Sequence, residues 1–152
     1  MGTTQLKHFI NGEYVSAKQQ DYFDLVSPVT GQVYAQSPNA TDAEVDAAYA
    51  AAKAAFKIWG RSTPSVRQKA LLNLADAIEA NADRLIEAQS RNTGQLKHLI
   101  ASEEITGSAD QIRFFAGAAR MLEGTATSEY MEGLTSSIRR EPIGVVGQII
   151  PW

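Results

Sequence analysis

Cysteine is absent from the 152 residues, which excludes disulfides, thiolate metal ligands and any cysteine nucleophile within them. Histidine is nearly absent: His8 and His98 stand far apart, on different kinds of element, so a paired metal site is not expected. Both are expected at the surface. No charge of either sign dominates, because 14 basic residues against 17 acidic ones leave a net charge of −3. With a pI near 5.4, this argues against a nucleic-acid or anionic-membrane surface. Arg139-Arg140, an adjacent basic pair, reads as a solvated face. No run reaches membrane-spanning length and no charged start leads into an apolar stretch, so a cytoplasmic location is expected. There is no Gly-x-Ser-x-Gly elbow, no phosphate loop ending in Gly-Lys and no Gly-x-Gly-x-x-Gly.

What is present is organised as short strands, then helices, then strands. His8-Phe9-Ile10 and Glu13-Tyr14-Val15 flank Asn11-Gly12, two residues that tolerate positive φ and so predict a hairpin. Residues 1–7 are expected to be loose. A second strand pair is expected at 22–26 and 33–35, turning through Pro28-Val29-Thr30-Gly31.

Thr41-Asp42-Ala43-Glu44 has the form of a capping box. It predicts a helix to about Trp59, with Gly60 just past its end and Val45, Ala48, Ala52, Ala55, Phe56 and Trp59 on one face. Thr63-Pro64 starts a second helix whose inward residues are Val66, Ala70, Leu71, Leu74 and Ile78. A third is expected over 82–91, stopped by Asn92-Thr93-Gly94. A fourth covers about 102–122, with Ile112, Phe115, Ala116, Ala119 and Leu122 inward and Gly107 a weak point.

Two β segments come next, 125–131 and 134–141, joined at Glu132-Gly133. Their mixed alternation cannot bury one clean face, so pairing with another subunit is expected. The last stretch, Gly144-Val145-Val146-Gly147-Gln148-Ile149-Ile150-Pro151-Trp152, reads as a strand buried on both faces of a parallel sheet. Ligands of such sheets bind beyond the strands' carboxyl ends, so Pro151 and Trp152 stand where a nucleotide site is expected to begin. By residues alone, the chain is a helix-and-strand domain ending in an uncovered apolar strand.

Ile149-Ile150-Pro151-Trp152, preceded by Ser137 to Val146, closely resembles the approach to the cofactor site in NAD(P)-dependent aldehyde dehydrogenases. Phe9 to Val15, Ser27 to Gly31 and Arg91 to Gly94 resemble the same family in the expected order, and the resemblance runs from about residue 8. Phe114-Phe115-Ala116-Gly117-Ala118-Ala119-Arg120 leans toward the aminobutyraldehyde and betaine aldehyde dehydrogenase branch.

The resemblance implies an α/β fold with three parts. Residues 1–123 would be the N-terminal part of the NAD(P)-binding domain, 124–142 an oligomerisation ribbon and 143–152 the first strand of a Rossmann-like sheet. It implies oxidation of an aldehyde, of amino-aldehyde type, to its acid with NAD or NADP, in a homodimer or homotetramer. In the family a cysteine thiolate attacks the aldehyde, hydride passes to the nicotinamide, and a glutamate-activated water releases the acid. Those catalytic residues fall beyond Trp152, so the chain alone is expected to be inactive.

Two sets of site residues carry over. Ile149, Ile150, Pro151 and Trp152 match positions lining the cofactor cleft, with plain sheet core as the alternative for the isoleucines. Leu25 and Val26, through their carbonyls, and Asn92, through its side-chain oxygen, match a monovalent-cation site. An acid is more usual at the Asn92 position, and losing its charge weakens cation binding. The alternative there is that Asn92 simply stops a helix. A separate reading of the whole chain remains open: a short non-catalytic protein that binds a partner through its ribbon and terminal strand.

Overall fold

Asn11 and Gly12 adopt φ of 54° and 82°, the left-handed pair that closes a tight hairpin. They join β2 (His8–Ile10) to β3 (Glu13–Val15), with Phe9 opposite Tyr14. A computed structural model describes residues 3–150. β4 (Tyr22–Val26) pairs antiparallel with β5 (Val33–Pro38), which extends three residues further than the apolar pattern suggested. The 28–31 turn between them is held by Gly31 N–H donating to the Ser27 carbonyl at 2.8 Å. The expected looseness of the amino terminus is corrected at β1 (Thr4–Gln5). It pairs parallel to β5, opposite Ala35 and Gln36, and Leu6 N–H donates to the Gln36 carbonyl. The sheet order is therefore β1-β5-β4. β5 had a free edge, and backbone pairing there satisfies donors that polar composition says nothing about.

α1 (Asp42–Trp59), α2 (Pro64–Ala80) and α3 (Ala82–Thr93) begin where their caps predict. Gly60 differs from expectation, since its φ of −60° is right-handed. A Cβ there would stand 2.8 Å from the Phe56 ring, so space rather than handedness favours glycine. The fourth helical region starts earlier than expected. It runs through α4 (Lys97–Leu99), a π-helical turn (Ile100–Ile105) and α5 (Thr106–Ala118). A π turn inserts an extra residue into the helical repeat and rotates the helix beyond it. The buried face of α5, the one packed on α2, carries Ala109, Ile112 and Ala116; Phe115 and Leu122, expected inward, lie exposed, because no other described element covers the flanks of that narrow face.

The helical core is α2 against α5, with Ala75, Ala109 and Ala116 buried and Ile100 sealing one end. Leu71 and Ile78 are half-buried beside Ala75, but Val66, Ala70 and Leu74, expected inward, are exposed one helical step away. On α1, Phe56 is half-buried and the rest of the expected inward face is exposed, because no described element lies along it. Arg113 of α5 grips α2 at the edge of the core, donating to both carboxylate oxygens of Glu79 and to Asp76.

β6 (Thr125–Met131) and β7 (Leu134–Ile138) form an irregular antiparallel ribbon. β7 is exposed along its length and stops three residues short of the expected end. Residues 139–150 join no strand ladder. The strand expected over the final stretch needs a neighbour to pair with, and none of the described residues supplies one.

Gly94 ends α3 at φ 77°, and a Cβ there would lie 3.2 Å from Pro28 Cγ. Gly107 lies inside α5 with open space where a Cβ would go. Gly94→Ala is expected to destabilise the protein by about 1–2 kcal/mol, and Gly107→Ala to stabilise it by about 0.5 kcal/mol. Urea unfolding of the two variants checks this; a Gly94→Ala variant as stable as Gly107→Ala would refute the account.

Candidate functional site

The most perturbed acid among the described residues is Glu44, in the first turn of α1 and only 2% exposed. Its carboxylate accepts from Thr41 N–H at 2.9 Å, Thr41 Oγ1 at 2.7 Å and Lys18 N–H at 3.0 Å. Thr41 and Glu44 thus form the expected capping box, but the glutamate does more than cap. By taking Lys18 N–H it ties the loop after β3 to α1. His8 Nε2 lies 3.8 Å from Glu44 Oε1, buried and without a hydrogen-bond partner. The expectation that His8 is a surface residue is therefore corrected. The carboxylate cluster that draws it in spans three segments, which sequence spacing does not reveal.

The Thr41 and Lys18 bonds push the Glu44 carboxyl down to about 2. An acid held so low stays charged and cannot serve as a general base poised near neutrality. Its role is to hold the hairpin to the helix. Because its folded value lies below the ordinary carboxylate range, the stabilisation is complete above that range and is lost as pH falls toward 2. Wild type is expected to lose stability steeply between about pH 4.5 and 2, and Glu44→Gln to be less stable at neutral pH with a flatter profile. Parallel pH titrations of unfolding check this; superimposable profiles would rule the clamp out.

A second cluster lies at the carboxyl end of α3. Thr93 Oγ1 donates to the Gln89 carbonyl at 2.9 Å, and Gly94 N–H donates to the Ser90 carbonyl at 2.9 Å. Ser90 Oγ donates to the Gln95 carbonyl at 2.8 Å, which fixes the turn beyond Gly94. Tyr34 of β5 reaches this corner, its hydroxyl donating to Asn92 Oδ1 at 2.8 Å. The Arg91 guanidinium stands 5.8 Å from the centre of the Tyr34 ring. Glu87 pairs with Lys97 and, at 3.6 Å, with Arg91, which lowers its carboxyl below the ordinary range.

Between β5 and α3 opens a cleft of about 1050 Å³, walled by Leu6, Leu25, Ala35, Leu85, Ala88 and Ile105. Leu25 and Asn92 both line it, whereas Val26 does not. Two of the three residues expected around a cation thus share one cleft. Among the described residues, no cluster of three or more His, Asp or Glu is placed to hold a metal ion.

The other expected site is not assembled by this chain. Ile149 is 97% exposed and Ile150 73% exposed, and neither lines the cleft. Pro151 and Trp152 lie outside the described residues. Around Ile149 and Ile150 the described residues form no crevice, no converging set of backbone N–H groups and no second strand to make one. A dinucleotide needs such donors for its phosphates and a walled cleft for its rings. These residues alone do not fit it.

Comparison with known proteins accounts for an arrangement of ordered parts without a complete site. The aldehyde dehydrogenase family model matches residues 14–152, and the chain belongs to that family. It is 37% identical over 148 residues to a long-chain-aldehyde dehydrogenase of an Acinetobacter species and 39% identical over 145 residues to an acetaldehyde dehydrogenase of Pseudomonas aeruginosa. These alignments take in 97% and 95% of this chain but 29% and 28% of the relatives. The crystal structure of PnpE from Pseudomonas sp. WBC-3 superposes with a TM-score of 0.90 at 36% identity, covering 98% of this chain and 30% of that one. PnpE in complex with nicotinamide adenine dinucleotide superposes at 0.85 and 33% identity, over 92% of this chain and 28% of that one. The chain thus spans less than a third of the length of the relatives it matches. The α/β fold expected from sequence is the one observed.

Proposed function

We propose that this chain is the N-terminal portion of an enzyme that oxidises an aldehyde to its acid with NAD or NADP. The observation that carries this reading is the family match across residues 14–152, in register with structures that superpose over nearly the whole chain. Ile149, Ile150, Pro151 and Trp152 would then flank the dinucleotide once further strands stand beside them. The exposed Ile149 and Ile150 support this, being apolar surface without cover. Residues 1–123 would form part of the cofactor domain, 124–142 the oligomerisation ribbon and 143–152 the first strand of its sheet. Among the described residues no helix is long and apolar enough to cross a membrane, consistent with a cytoplasmic enzyme.

The chain supplies no thiol, because it holds no cysteine, and its buried acid, Glu44, is held far below neutrality. Its own residues support and shape; the nucleophile and the base belong to the remainder of such an enzyme. The purified 152-residue chain is expected to reduce neither NAD nor NADP with any aldehyde, while the whole enzyme does so with at least one. Absorbance at the reduced-nicotinamide band checks both, and turnover by the fragment alone would overturn the reading.

For the substrate we favour an ω-amino or quaternary-amino aldehyde, on the segment from Phe114 to Arg120. The relatives named above act, by their names, on long-chain aldehydes and acetaldehyde. A panel of 4-aminobutyraldehyde, betaine aldehyde, acetaldehyde and a long-chain aldehyde decides between them, the amino aldehydes being expected to give the highest kcat/KM. The fully exposed β7 supports a homodimer or homotetramer, since an unpaired strand edge seeks a partner. Size-exclusion of the whole enzyme is expected to show a dimer or larger, and a monomer would refute the ribbon's role.

A further inference from the structure

The ladder between β4 and β5 skips one residue. Leu25 stands opposite Ala35 and Val26 opposite Val33, so Tyr34 is the extra, unpaired residue of a β-bulge. A bulge bends its strand and re-aims the side chain it carries. Here the Tyr34 hydroxyl meets Asn92 Oδ1 at the end of α3. The irregularity thus falls at Leu25 and Val26, the positions whose carbonyls were expected to hold a monovalent cation together with the Asn92 oxygen.

The residues present do not fit that cation. Asn92 Oδ1 already accepts the Tyr34 hydroxyl proton, which takes one of its two lone pairs and leaves an ion one lone pair of an uncharged oxygen. Among the described residues no carboxylate joins the group. Asp24, which precedes Leu25 in the chain, accepts from Gln36 Nε2 at 2.8 Å, Glu87 is engaged by Lys97 and Arg91, and Glu104 accepts from Gln95 Nε2. The charge that does stand at the corner is the Arg91 guanidinium over the Tyr34 ring, of the same sign as the ion. Neutral oxygens beside a fixed cation hold a singly charged ion poorly.

We propose that Tyr34 replaces the cation in this protein. Its hydroxyl makes a metal-independent latch to Asn92, joining the β4–β5 bulge to the carboxyl end of α3. Tyr34 is a positioning residue: it holds the Asn92-Thr93-Gly94 corner against the Pro28 turn, and no step of aldehyde chemistry passes through it. The proposal does not depend on the cofactor or substrate reading, and its test uses no activity.

The test is thermal unfolding of the whole protein and of Tyr34→Phe, Asn92→Ala and the double variant, in sodium, potassium and choline chloride at equal ionic strength. Wild type is expected to melt at the same temperature in all three salts. Each single variant should melt about 3 °C lower, and the double variant no lower than the weaker single, because both delete one bond. A sodium- or potassium-specific rise in wild type that Asn92→Ala abolishes would overturn the proposal. So would strictly additive losses in the double variant. Should a variant fail to fold, sodium-23 line broadening on wild type decides alone: saturable broadening refutes the latch, and its absence supports it.

Discussion

Alanine at positions 75, 109 and 116 lets α2 and α5 approach until no water reaches these side chains, and the helical layer is ordered around that contact. Each alanine contributes little area, so the stabilisation comes from close packing of many atoms across the seam rather than from large side chains. Among the described residues, Ile100, inside the π-helical turn, is the one large side chain driven fully inside. Arg113 then fixes the rotation of α5 about α2 through its paired bonds to Glu79 and its bond to Asp76. Because the guanidinium plane suits a carboxylate edge, this contact specifies geometry as well as attraction.

Away from that seam the chain is under-covered. Its accessible surface is 12127 Å², whereas a folded monomer of this mass exposes about 7,500 Å². The excess lies on recognisable faces: Val45 and Trp59 of α1, Val66 and Leu74 of α2, Leu134 and Ile138 of β7, and Ile143 and Ile149 beyond it. These are the apolar positions a helix or strand presents when it has been shaped to fit against something else. The chain spans 28–30% of its relatives' length and keeps their backbone course with these faces uncovered.

Local signals were legible wherever the physics is local. The Asn11-Gly12 hairpin, the Thr41 and Thr63-Pro64 helix starts and the left-handed Gly94 stop depend on residues a few positions apart, and the structure has them where the pattern puts them. What failed depended on distant partners. Thr4-Gln5 is polar and short, and only the free edge of β5 makes it a strand. Phe115 shares a helical stripe with Ile112 and Ala116, but only the narrow face of α5 that meets α2 is covered, and which face that is depends on a partner far away in sequence. His8 was drawn inward by Glu44, and Glu44 itself was readable as a cap but not as a tie to Lys18. Of the expected sites, the Leu25 and Asn92 neighbourhood is assembled in one cleft. The Ile149 and Ile150 surface is exposed and away from that cleft.

The bulge at Tyr34 has a consequence for how this segment tolerates change in length. Side chains alternate along a strand with a period of two, so the number of residues between two points decides which face each one shows. Deleting one residue between Val33 and Ala35 would restore an unbroken ladder, the locally more regular arrangement. It would also leave the loop before Val33, or the pairing of Thr4 with Ala35, to absorb the lost position, and no tyrosine would remain at the bend to reach α3. The residue count of β5 is therefore fixed by its pairing on both edges, independently of which side chains it carries.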